Sequence, residues 1–169
     1  MKKRIIVLCL SVFVALPAMA TTPLQLGILG NRLQLFSQVN PVVGLRLNLP
    51  YSENTSVTGI DLGFVSKATR MTALQLNLVN LVTADFSGIG VGLFNHSGSL
   101  SGIQLGLMNM VDGDVTGLQI GLFNFANDVT GLQIGVMNHT VSMNGIQIGV
   151  VNLIDDGPLP FFPIINAAF

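Results

Sequence analysis

The sequence predicts an all-β chain: an antiparallel up-and-down meander of about ten strands, closed as a transmembrane β-barrel, with a β-solenoid as the alternative. Three observations predict it. One short motif recurs at near-constant spacing, apolar residues alternate with Gly and Gln inside its copies, and only 9% of the 169 residues are charged although 50% are hydrophobic. Soluble domains usually carry about 25% charged residues, so something other than a charged surface is expected to meet the surroundings.

At the start of the chain, Lys2, Lys3 and Arg4 precede an apolar run from Ile5 to Leu16, and Ala18-Met19-Ala20 follows Pro17. This is the pattern of a signal peptide over residues 1–20, with cleavage expected after Ala20, and the run is too short to span a bilayer as a helix. Cys9 is the only cysteine and lies in that run. A chain starting at Thr21 would have no thiol, which excludes disulfides, thiolate metal sites and cysteine nucleophiles. It would keep four basic residues against eight acidic ones with no basic cluster, so nucleic acid is not an expected partner. Residues 21–169 read as a single β-repeat domain.

The repeat is clearest over residues 44–152. Its best copies are Gly117-Leu-Gln-Ile-Gly-Leu-Phe-Asn124, Gly131-Leu-Gln-Ile-Gly-Val-Met-Asn138 and Gly145-Ile-Gln-Ile-Gly-Val-Val-Asn152. Copies open at positions 44, 59, 73, 88, 102, 117, 131 and 145, separated by 14 or 15 residues, with degenerate copies at Pro23–Gly30 and Pro160–Phe169. In Val115–Asn124, Thr116, Leu118, Ile120, Leu122 and Asn124 fall on one face and Val115, Gly117, Gln119, Gly121 and Phe123 on the other, which is strand periodicity. Stretches such as Asp112-Gly-Asp114 and Phe125-Ala-Asn-Asp128 are turn-formers.

A period of 14 or 15 fits one coil of a parallel solenoid or one strand plus turn of a meander. A 14-residue coil has a perimeter of about 46 Å and room for only two short strands. Its return strand, for example Asn127-Asp128-Val129, offers a single apolar residue to three aliphatic ones, which favours the meander. Alternating odd and even loops would keep Gln104, Gln119 and Gln133 on one face of such a meander.

A tilted ten-residue strand matches the hydrocarbon thickness of a bilayer. The aliphatic face would then meet lipid, and the Gly/Gln face would line a lumen at Arg46, Asp61, Gln75, Gln104, Gln119, Gln133 and Gln147. The two charges in that column are tolerable in a lumen, and no charge occupies the Leu/Ile positions. The expected partners are a lipid bilayer and the outer-membrane assembly machinery, and the expected location is the outer membrane or cell surface. The function read from this is a non-enzymatic structural barrel or narrow pore. The alternative is an extracellular surface fibre or β-solenoid adhesin resembling curli, whose Gln and Asn columns would be stacked ladders.

Two resemblances accompany these readings. The terminal aromatic Phe169 resembles the assembly signal of outer-membrane barrels, although Pro163 and Ala167 depart from it. The Gly-Leu-Gln-Ile-Gly-Leu-x-Asn copies resemble those of surface repeat proteins of spirochaetes and other Gram-negative bacteria. That resemblance covers about Gly44 to Phe169 and implies a cell-surface location, not an activity. His96 and His139, the only histidines, each follow a motif Asn and read as solvated turn residues. No catalytic residue, metal ligand or cofactor is expected, and the sequence names no small-molecule ligand.

Overall fold

A computed structural model describes residues 21–30 and 32–169, so the expected signal segment 1–20 lies outside the described residues. The strands are β1 (Thr22–Leu29), β2 (Val42–Val91), β3 (Phe94–Leu105), β4 (Met108–Val111), β5 (Asp114–Ile120), β6 (Phe123–Ile154) and β7 (Ile164–Ala168). Laid straight, the 50 residues of β2 would extend about 165 Å, so the strand must wind upon itself.

The pairing shows how. Gly88 lies beside Gly102, Gly102 beside Gly117 and Gly117 beside Gly131, all in parallel register. Each repeat is therefore one coil of a parallel β-solenoid, and like residues stack on like residues. This corrects the antiparallel meander and the barrel made from it. Neighbouring repeats run in the same direction, and among the described residues the only antiparallel strand partner is β7, which closes the end of β6.

The interior is filled by four inward positions per coil. In the coil opening at Gly131 these are Val129, Gln133, Asn138 and Thr140, and in the next they are Met143, Gln147, Asn152 and Ile154; all are buried. The aliphatic residues that a conventional core would claim point outward instead. The poor return strand is no obstacle, because the interior asks for one Val rather than three aliphatic partners.

The alternation of 14 and 15 also has a different cause from alternating hairpin loops. Three residues, Asp112-Gly113-Asp114, separate buried Val111 from buried Val115, whereas two, Asn127-Asp128, separate Ala126 from buried Val129. The extra residue is absorbed at one polar corner, and the matching register shift falls between Val82 and Asp85.

Two glycine positions make the coil possible. Gly117 has φ +141°, and a Cβ there would stand 2.0 Å from the Gly102 carbonyl oxygen of the coil before. At Gly121 a Cβ would meet the Asn109 Nδ2 at 2.7 Å and the Gly106 oxygen at 2.7 Å. The first glycine permits the left-side backbone turn, and the second leaves room for an Asn amide beneath it.

Both ends of the stack are covered. At the N-terminal end the Ile28 N–H donates to the Leu33 carbonyl (2.8 Å) and the Leu35 N–H to the Leu26 carbonyl (2.9 Å), so the chain folds back antiparallel along β1. At the C-terminal end β7 pairs with Gly145–Gly149, and Leu153 bridges Phe161.

Candidate functional site

The seven residues expected to face a lumen, Arg46, Asp61, Gln75, Gln104, Gln119, Gln133 and Gln147, occupy one interior column and are 0–2% exposed. The parallel coil leaves them no channel to line, because they hydrogen-bond to one another and to the coil interior. Gln147 donates to Gln133 (2.8 Å), Gln133 to Gln119 (2.8 Å) and Gln119 to Gln104 (3.3 Å). The column breaks at Gly90, where the buried Phe86 ring lies 3.1 Å from the position a Cβ would take.

A second amide ladder runs beside the first. Asn80 donates to Asn95 (2.6 Å), Asn95 to Asn109 (2.8 Å), Asn109 to Asn124 (2.8 Å), Asn124 to Asn138 (2.8 Å) and Asn138 to Asn152 (2.8 Å). The Nδ2 groups also reach a backbone carbonyl, as Asn124 does to Ile134 (2.9 Å). The Asn amides donate toward the C-terminal end and the Gln amides toward the N-terminal end, so the dipoles of the two ladders oppose each other. Satisfied in this way, a polar interior is stable, whereas each orphaned amide would cost about 1–3 kcal/mol.

Arg46 and Asp61 form the one buried ion pair among the described residues: Arg46 Nε donates to Asp61 at 2.7 Å and both side chains are 0% exposed. Asp61 also accepts from Asn48 (2.7 Å), Gln75 (3.1 Å) and Asn77 (3.0 Å). Arg46 also donates to Ser66 and to the Lys67 carbonyl (3.0 Å). Burial alone would raise the Asp61 carboxyl, but the Arg46 charge and these hydrogen bonds hold it below its ordinary value. Asn77 donates to Asn80 as well (2.9 Å), which joins the ion pair to the Asn ladder. The site is a structural network in the interior, closed to substrate.

His96 lies 3.0 Å from Asp112, and His139 lies 3.1 Å from Asp155, each pair bridging adjacent coils at the surface. Among the described residues, no three or more His, Cys, Asp or Glu side chains gather as a metal site would require. Phe169 follows β7 and is 91% exposed; the strand it was expected to close as part of a barrel is the antiparallel cap.

The feature with access to a partner lies on the outside. Following each motif glycine, the residues at the first, third, fifth and sixth positions are apolar in every coil from Gly44 to Val151. In the coil of Gly117 they are Leu118, Ile120, Leu122 and Phe123. The fifth position forms a ridge at the corner: Phe64, Leu78, Leu93, Leu107, Leu122, Val136 and Val150, each 46–65% exposed. Beside it runs a groove floored by Gly106, Gly121 and Gly135 and walled by Leu105, Ile120 and Ile134 on one side and Leu107, Leu122 and Val136 on the other, with a volume of about 480 Å³. A further groove of about 380 Å³ continues it past Gly149 to Pro163 and Ile164. The opposite corner carries Asp85, Asp112, Asp114 and Asp128 among Ser and Thr. Sequence reasoning identified the aliphatic face but gave it to a barrel wall. Strict alternation put the sixth position, such as Phe123, on the Gly/Gln face and Asn124 on the aliphatic face, whereas the coil turns between them so that Phe123 faces outward and Asn124 is buried.

Searches with protein-family models, against curated proteins and against solved structures each find no match for this chain.

Proposed function

We propose that the protein is an exported, non-catalytic β-solenoid of the cell surface that works as a binding module, adhesin-like, through its uncharged apolar corner. The observation that carries this reading is the four outward columns, apolar in every coil, set against a corner rich in Asp, Ser and Thr. A contiguous apolar strip that size on a soluble chain marks a contact surface. The antiparallel segments over β1 and β6 favour a module of finite length over a fibre that grows from its strand edges. The signal-like segment and the resemblance to surface repeat proteins support export.

The test combines location and retention. The protein should be degraded when intact cells are treated with protease, and the purified chain should be retained on a phenyl-substituted matrix. Replacing Leu93, Leu107 and Leu122 together with Ser should release it from the matrix while leaving its β-rich circular dichroism unchanged. Retention undiminished by those changes would remove the corner from the proposal, and protection from protease in intact cells would remove the surface location.

A further inference from the structure

We infer that the partner of the apolar corner is the hydrocarbon of one bilayer leaflet, which the solenoid enters side-on while its Asp-bearing corner stays in water. The inference rests on the reading of that corner as the binding surface, and it concerns what covers it. The backbone decides first. At the corner the Gly106 N–H donates to the Ile120 carbonyl (3.0 Å), the Gly121 N–H to the Ile134 carbonyl (3.0 Å), and the Leu107 and Leu122 N–H groups to the Leu93 (3.0 Å) and Leu107 (2.9 Å) carbonyls. These bonds run along the axis from coil to coil. A peptide strand finds none of these groups free for pairing, and hydrocarbon can surround them without leaving any unsatisfied.

Shape decides next. The apolar columns wrap the corner, from Leu118 and Ile120 on one flank, over Leu122, to Phe123 on the other. A second copy of the chain would cover one flank of this convex edge, whereas a fluid of acyl chains covers both flanks and fills the glycine-floored groove. From Phe64 to Val150 the ridge spans about 29 Å at about 4.8 Å per coil, a long strip for one side of a small protein. Charge decides last. The exposed acids Asp112, Asp114, Asp128 and Asp155 lie outside the apolar columns, and no basic cluster occurs among the described residues. Attachment therefore depends on apolar burial and not on attraction to anionic head groups, unlike basic amphipathic anchors.

The chain contains no Trp, so a single one reports its own surroundings. Leu122→Trp and, at the polar corner, Thr116→Trp are each mixed with phosphatidylcholine vesicles. Emission from Leu122→Trp should shift to shorter wavelength and be quenched by lipids brominated on their acyl chains, whereas Thr116→Trp should do neither. Flotation of the unmodified chain with these vesicles should persist in high salt and fall when phosphatidylglycerol is added. Val150→Asp, at a position 65% exposed and remote from the interior, should reduce flotation at least tenfold with unchanged circular dichroism. Absence of flotation and of a spectral shift overturns the inference. If Leu93, Leu107 and Leu122 replaced by Ser still release the chain from the phenyl matrix in that case, the corner remains a binding surface with another partner. A dimer in lipid-free solution that Val150→Asp dissociates would assign the corner to a second copy.

Discussion

Asp61 pairs with Arg46 and accepts three amide hydrogen bonds while fully buried, and its response to pH follows. Its folded carboxyl lies below the unfolded value of about 3.9, so its contribution is fully present above that value. The contribution is lost as pH falls from there through the folded value, where the unfolded chain takes up the proton first. Urea midpoints should therefore show no Asp61 contribution to change between pH 7 and 5 and should drop below about pH 4, a drop that Asp61→Asn reduces. At pH 7 Asp61→Asn should itself cost about 3–5 kcal/mol, because Arg46 is left buried without its counter-charge, and Arg46→Met with Asp61→Leu should recover most of it. In the Asn ladder, Asn124→Ala should cost about 1–3 kcal/mol in the same measurement, against less than about 0.5 for Asn127→Ala at the exposed corner. Both polar columns were legible as columns. The ion pair was not, since Arg46 and Asp61 were read as charges tolerated in a lumen rather than as partners. Opposite charges at one position of consecutive copies, 15 residues apart, are themselves a sign that those positions stack.

At the scale of the element, the coil depends on a column of glycines rather than on any strand propensity. Gly117→Ala forces a Cβ to within 2.0 Å of a backbone oxygen at φ +141°, and neither atom belongs to a flexible side chain that can yield. The variant should lose most of its cooperative thermal transition. Ala73 occupies the same position one coil below Gly88, so Ala73→Gly should be nearly neutral in the same scan. Period-two alternation and the repeat spacing were readable in the sequence, and strand direction was not. Spacings of 14 and 15 suit odd and even hairpin loops as well as two- and three-residue corners. The evidence for direction lay in the glycines, because a hairpin sets unlike positions opposite each other whereas a parallel coil brings each glycine against its own counterpart.

For the whole molecule, direction can be tested with a covalent ruler. Thr116 and Thr130 are exposed and paired in register across neighbouring coils. Their Cα atoms should lie about 4.8 Å apart, inside the range that a disulfide spans. With Cys9→Ala in place, Thr116→Cys and Thr130→Cys should oxidise to an intramolecular disulfide detected by mass after proteolysis. In an antiparallel meander the five-residue loop 125–129 would set Asn124 opposite Thr130, so Thr116 would stand about 26 Å along the strand from that partner and no bond could form. The all-β class and the tandem organisation were thus legible, while the closed barrel was inferred from an outward aliphatic face that a solenoid can present equally well.

The two antiparallel segments that cover the ends of the stack have a consequence for how such a chain changes size. Between them the cross-section is the same at every step, and each rung of Gln, Asn and Gly meets only its two neighbours. An in-register duplication of residues 117–130 would add one rung, lengthen the body by about 4.8 Å and leave both covers in place. A single inserted residue has one harmless place to go, the polar corner that already accepts two residues or three. Length is therefore counted out in whole repeats, and recombination between copies of the repeat can lengthen or shorten the molecule without redesigning a single contact.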